Sequence, residues 1–266
     1  MALNRWILLV IFVAAESAVA QADDRPSISI PEPRRESNTR GTFTITAIEY
    51  RMADEVRDRF PSAIPELIRY FKASTNATIG ADISWNELSL DNPRIMQSLL
   101  LYMTGNDAVM QIADAEKNNL GQYLKTAGLL FAEEIRHSDA AGGLMGKDAG
   151  VKNTYFDRQF KALVKDPLVL GDDGARWQKV PAQHPVHSIY WDFPQGPPMG
   201  GAPGGNVFQL EMLERRGRVV VIFSDLNISW YWGDPLADLR ERGLQFGGNL
   251  IVFAMSQRVL GPGLRK

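Results

Sequence analysis

The sequence predicts an α/β domain, a mainly parallel sheet flanked by helices with an antiparallel hairpin at one edge. Three observations point there. Two runs, SLLLYMTG (98–105) and GLLFAEE (128–134), are apolar on both alternating faces, the pattern of strands covered on both sides by helices. Around them lie stretches whose apolar residues recur at i, i+3, i+4 and i+7, the spacing of one helical face. Towards the C-terminal end, VFQLEMLE and VVVIFSD flank the turn RRGR at 215–218, which reads as an antiparallel hairpin. Strands alternating with helices need crossover connections, and these are right-handed and make parallel pairs.

Each element has its own local reason. GTFTITAIEY (41–50) is rich in β-branched and aromatic residues, which fit a pleated surface. In SAIPELIRYF, Ile64, Leu67, Ile68 and Phe71 share a helical face, with Ser62 as N-cap and Pro65 inside the tolerant first turn. After the strand at 98–105, Asp114 is positioned to cap a helix whose apolar face is Leu120, Tyr123, Leu124 and Ala127, stopped by Gly128. NTYFDRQFKALVK repeats the pattern through Phe156, Phe160, Leu163 and Val164, and Thr154 with Asp157 suits a capping box. From Asp166 to Asn206 no period is evident, and GPPMGGAPGG (196–205) reads as a glycine-proline loop. The closing GGNLIVFAMSQRVL has a short apolar run compatible with either period; a buried helix starting near Asn249 is the preferred reading.

Composition narrows the function classes. The chain has 266 residues and a formal net charge of −2, with no cluster of basic residues, so nucleic acid is not the expected partner. Residues 1–20 combine Arg5, an apolar stretch from Trp6 to Ala15 and small residues at Ala18 and Ala20. That is the layout of a secretory signal peptide cleaved after Ala20, so a periplasmic or secreted location is expected. Residues 21–40 read as a polar, proline-containing spacer and 41–266 as one domain. No later run approaches the roughly 20 apolar residues of a membrane span. There is no cysteine, which excludes disulfides, thiolate metal sites and a cysteine nucleophile.

Taken in order, TFTITAIEYR, SLLLYMTG, DAEKNNLGQYLKTAGLLFAEE, YFDRQF, His184-Pro185, VVVIFSD and GGNLIVFAMSQ resemble a bacterial family known as domain of unknown function 4159. The resemblance implies a flavodoxin-like fold similar to class I glutamine amidotransferases, in exported or membrane-tethered proteins, with no established reaction. The chain departs from the family pattern in three places. It has Ala127-Gly128 where relatives tend to have two glycines, Glu133-Glu134 where they tend to have two aspartates, and Asn106 where they often have histidine.

Ligands of open parallel sheets bind beyond the carboxyl ends of the strands. Thr104, Asn106, Glu133, Glu134, His137 and Asp225 are the residues that edge should receive. Adjacent strand residues point to opposite faces, so at most one of Glu133 and Glu134 should meet a given ligand; the bland alternative is that one caps backbone or pairs with Arg136 or Arg158 while the other is solvated. Glu134 and His137 have the Glu-x-x-His spacing of di-iron bundles, but the second motif that such a site needs is missing. His184 and His187, joined by His137, would make a three-nitrogen zinc set, yet isolated histidines more often make structural hydrogen bonds. No metal and no cofactor is therefore expected. Neither a G-x-S-x-G elbow nor a P-loop is present. Trp177, Trp191, Trp230, Tyr231 and Trp232 offer stacking surface, with SWYWGDP (229–235) the best candidate for exposed aromatics.

The ligand-site candidates are thus Glu133, Glu134, His137, His184, Asp225 and Asn106, with no catalytic residue assigned. The expected function is a non-enzymatic binding module for a protein or a polar small molecule. The alternative is a carboxylate- or metal-dependent hydrolase, acting on a glycan for example, which would need two carboxyl groups facing one cleft.

Overall fold

A computed structural model describes residues 42–52, 60–105, 109–126, 128–135, 155–198, 209–237 and 239–259. Residues 1–41, with the signal-peptide and spacer segments, lie outside this set, as do Asn106 and His137.

The chain opens with β1 (Thr42–Glu49) and the two-residue β2 (Arg51–Met52), then α1 (Ala63–Thr75) and β3 (Asp82–Ser89). There follow β4 (Leu100–Gly105), β5 (Met110–Gln111), α2 (Asp114–Thr126), β6 (Leu129–Glu134) and α3 (Tyr155–Lys165). The last part comprises β7 (Trp177–Lys179), β8 (Glu211–Arg215), β9 (Arg218–Ser224), α4 (Ile228–Gly233) and α5 (Arg240–Val259). Among the described residues the main sheet runs β3-β1-β4-β6-β9-β8-β7. The first five strands are parallel, and β8 and β7 add the antiparallel edge. Numbered by their order in the chain, the parallel strands read 2-1-3-4-5, the flavodoxin-like order, whose switch point lies beside β1. The β8–β9 turn places Arg216 and Gly217 at φ 51° and 72°, as a tight hairpin with two left-handed central residues requires.

The predicted double burial of the central strands is what divides the core. Leu129 and Phe131 of β6 enter one apolar cluster, with α1, α4 and α5. Leu130 and Ala132 enter the other, with α2 and α3. Successive strand residues point to opposite faces, so each doubly buried strand feeds two cores.

Several local expectations are corrected. β3 was not anticipated: of its residues only Ile83 is buried, because it is an edge strand and its polar content hides the strand period. The irregular stretch 166–206 contains short 3₁₀ turns at Gly171–Ala175 and Pro185–His187 and the strand β7, three residues being too few to show a period. Ser62 stands at the N-cap position of α1, but its side chain makes no capping bond; its hydroxyl donates to the Gly233 carbonyl at 3.0 Å. α2 is capped from Ala113, whose N–H donates to Glu116 Oε2 at 2.7 Å, so Asp114 is its first helical residue rather than its cap. The capping box of Thr154 and Asp157 falls outside the described residues, since Thr154 is not among them; Asp157 pairs with Lys161 at 2.7 Å. SWYWGDP is not an exposed aromatic patch: Tyr231 and Trp232 are buried and Trp230 is half-buried, because the segment forms α4 and Trp232 packs between Tyr102 and Phe131 with ring centroids 5.8 Å from each.

The final helix begins at Arg240, nine residues earlier than expected from Asn249. Its central part is buried nearly all round, which is why its apolar run has no clear helical face. Asn249 sits in the middle of it as a clamp. Its Oδ1 accepts from the Trp191 N–H at 2.9 Å, and its Nδ2 donates to the carbonyls of Trp191 at 2.7 Å and Val186 at 3.0 Å. Gly248 permits the approach, since a Cβ there would lie 2.2 Å from the Trp191 ring. Asn249→Ala leaves three backbone groups without their partner; we expect a loss on the order of 3 kcal/mol, read as a lower denaturation midpoint at unchanged m-value.

Candidate functional site

The carboxyl end of β6 delivers its two glutamates to opposite sides of the sheet. Glu133 faces α4. Its Oε1 accepts from the Ser224 hydroxyl at 2.7 Å and from the Ile228 N–H at 2.6 Å, and its Oε2 accepts from the N–H of Ser229 at 2.7 Å and from the Ser229 hydroxyl. A fully buried carboxyl group thus serves the amides that open α4, which have no partner within the helix. Burial pushes this carboxyl up from the ordinary range, while the four donors act in the opposite direction.

Glu134 faces the other way. It is 2% exposed, so neither glutamate is solvated. β6 and β9 are paired through Glu133 opposite Ser224, so the next residues, Glu134 and Asp225, turn to the α3 side, where the charge of Glu134 acts on Asp225. Asp225 is 5% exposed and its Oδ1 has no hydrogen-bond partner. Burial, then the charges of Asp157 and Glu134, push its carboxyl up to about 8; Lys161 pulls it down and Glu211 adds to the rise. Lys161 pairs with Asp157 at 2.7 Å and with Glu211, and its ammonium lies 5.1 Å from the centre of the Phe223 ring and 5.4 Å from that of Trp177. Burial lowers the pKa of Lys161, but its two carboxylate partners outweigh this and raise it above the usual lysine range.

A cleft of about 760 Å³ opens on the same edge, beyond β1 and β3 and beside the start of α2. Tyr50, Met110 and Ile112 line it and pack on the underlying core; Glu49, Arg51, Asp91 and Glu116 supply its charges. Tyr50 is anchored by donating its hydroxyl to the Thr104 carbonyl at 2.7 Å. Gly105 leaves room for this wall: a Cβ would lie 2.2 Å from Phe156 and 2.5 Å from the Tyr50 oxygen.

His184 and His187 stand apart from this edge. The His184 ring packs edge-on to Phe253 at 5.0 Å, its Nδ1 accepts from the Val186 N–H, and Glu214 is the charge that acts on it. Glu214 pairs with Val219 near the start of β9, roughly 20 Å from Asp225 at the usual rise per strand residue. His187 is buried against Phe246, and burial lowers both imidazoles below their usual range. Among the described residues no group of three or more potential ligands is arranged to hold a metal.

Residues 44–255 match the family described as a domain of unknown function (DUF4159). The chain is a DUF4159 protein. The match runs from β1 into α5, so every element that shapes the β6–β9 edge and the cleft belongs to the DUF4159 domain. No curated protein matches the chain.

Of the candidates in this DUF4159 sequence, the structure brings Glu134 and Asp225 together, assigns Glu133 to α4 and separates His184 from all three. The partners Ser224, Ser229, Asp157, Lys161 and Glu211 were missed, as was the cleft. Asp157 and Lys161 have an i, i+4 spacing that announces an ion pair, but nothing local shows that α3 lies over β9.

Two outcomes follow for DUF4159 variants. Glu133→Gln puts an amide nitrogen against one of two backbone N–H groups in either orientation, and should cost about 1–3 kcal/mol, measured by equilibrium denaturation. Asp225, with its folded pKa above the unfolded one near 4, holds an extra proton when folded, so its contribution is fullest below about pH 4 and is lost as pH rises to about 8. Asp225→Asn should flatten that part of the stability-pH curve and be the more stable form at pH 8 by more than about 1 kcal/mol; thermal melts from pH 5 to 9 decide it.

Proposed function

We propose that this chain is an exported, non-enzymatic binding module that seats a polar ligand in the cleft beyond β1 and β3. The cleft itself carries the reading. It lies at the carboxyl ends of parallel strands beside the switch point, where open α/β sheets take their ligands, and its volume suits a small molecule or a short chain segment. Tyr50, Met110 and Ile112 offer an apolar floor, while Glu49, Asp91 and Glu116 outnumber Arg51 at the polar positions. Such a lining favours a ligand with an apolar face and polar edges over a strongly anionic one. Two catalytic agents are excluded or engaged: the chain has no cysteine, and Glu133 is committed to α4 by four hydrogen bonds.

Ala113 lines the cleft and is exposed, so Ala113→Trp fills the space without disturbing the core. In a thermal-shift screen of polar metabolites, oligosaccharides and short peptides, ligands that raise the melting temperature of the parent protein should fail to do so for Ala113→Trp and should be recovered chemically unchanged. Conversion of a ligand by the parent protein, abolished by Asp225→Asn or Glu134→Gln, would replace the binding reading with the hydrolase one. Equal binding by Ala113→Trp would remove the cleft from it.

Export rests on residues 1–20, with their basic start, apolar stretch and small residues before Gln21. Mass spectrometry of the chain secreted by a bacterial host should give a mature protein beginning at Gln21; an unprocessed cytoplasmic chain contradicts it.

A further inference from the structure

Burial and the neighbouring carboxylates act against the charged form of Asp225. Asparagine has the same shape, needs no proton and brings two donors to a place ringed by Glu134, Asp157 and Glu211. A carboxyl group kept in such surroundings, at a cost to stability, is a common mark of a working site. A second observation is independent of charge: Oδ1 of this 5% exposed side chain has no hydrogen-bond partner. Buried polar atoms are almost always paired, so the site lacks a donor. Lys161, the cation that the described ion pairs place here, is occupied with Asp157 and Glu211. The cluster also has a way in, because the Lys161 and Glu211 side chains are 26% and 18% exposed.

We propose that Asp225 is the base of a second ligand subsite, one that takes a cationic N–H donor, an ammonium or guanidinium group. Asp225 of β9 is the acceptor, Glu134 of β6 and Asp157 of α3 add negative potential, and Glu211 of β8 with Lys161 of α3 forms the mouth. Phe223, beneath Lys161, supplies a ring face of the kind cations favour. The exchange is balanced in protons: neutral Asp225 carboxyl plus the cation gives a carboxylate–cation pair plus one released proton. This subsite stands on the α3 side of β6 and β9, with two strand spacings between β1 and β6, and does not depend on the cleft having a ligand.

The test uses the full mature chain with methylguanidinium, methylammonium and the tripeptides Gly-Arg-Gly and Gly-Lys-Gly as probes, followed by titration calorimetry at pH 6, 7 and 9. The expected result is binding that tightens about tenfold per pH unit below pH 8 and levels off above it, with close to one proton released per cation at pH 6 and 7 and almost none at pH 9. Asp225→Asn should abolish it, and Ala113→Trp, at the cleft, should leave it unchanged. Tighter binding of the small cations than of the peptides would assign the site to a free amine, and the reverse to a basic side chain. Absence of binding by every probe, pH-independent binding, or equal binding by a folded Asp225→Asn overturns the proposal. So does binding of magnesium or calcium chloride in place of the organic cations.

Discussion

One buried carboxyl group joins the end of the central strand to the helix beyond it. Glu133 takes two backbone amides at the start of α4 and two hydroxyls, from Ser224 on the neighbouring strand and Ser229 on the helix. Those donors would otherwise be buried without acceptors, so β6, β9 and α4 are secured together or not at all. The position of α4 sets that of Trp232, whose ring meets Tyr102 and Phe131 from β4 and β6 and whose Nε1 donates to the Gly243 carbonyl at 2.8 Å. Packing of α5 follows, because Gly243 and Gly247 are where Tyr231 and Trp232 approach it.

The same residue decides what its neighbour can do. With Glu133 turned to α4, strand geometry turns Glu134 to α3, and across the ladder Ser224 and Asp225 divide in the same way. On one side of this edge both carboxylate oxygens of Glu133 are therefore hydrogen-bonded. The other collects carboxyl groups around one lysine and leaves an acceptor open. A structural role and the proposed ligand-binding one fall to residues adjacent in the chain, and the sheet keeps them apart.

The central architecture was legible because doubly buried strands and amphipathic helices write strong periods. Leu129 to Glu134 shows this well: the run marks the strand, its burial and its carboxyl end, where two opposed glutamates could be placed before any coordinates. What was not legible depends on distant partners. Nothing in SWYWGDP tells a surface loop from a buried turn of helix, since the acceptor that orders it lies on β6. Asn249 looked like a helix start because asparagine suits that position, whereas its actual partners are backbone groups of Trp191 and Val186, some sixty residues away. The company of Asp225 is likewise tertiary, contributed by β6, β8 and α3.

β3 was missed for a reason that has a use. It is an edge strand of eight residues, paired with β1 along its whole length, and among the described residues no strand pairs with its other side. A strand of that length made of valine and isoleucine would recruit strands from other chains. Asp82, Asn86 and Glu87 spoil that template, and Lys72 on α1 pairs with Asp82 at 3.0 Å at one end. The polar residues that conceal the strand from a hydrophobic pattern are the ones that make it a poor template for a strand from another copy.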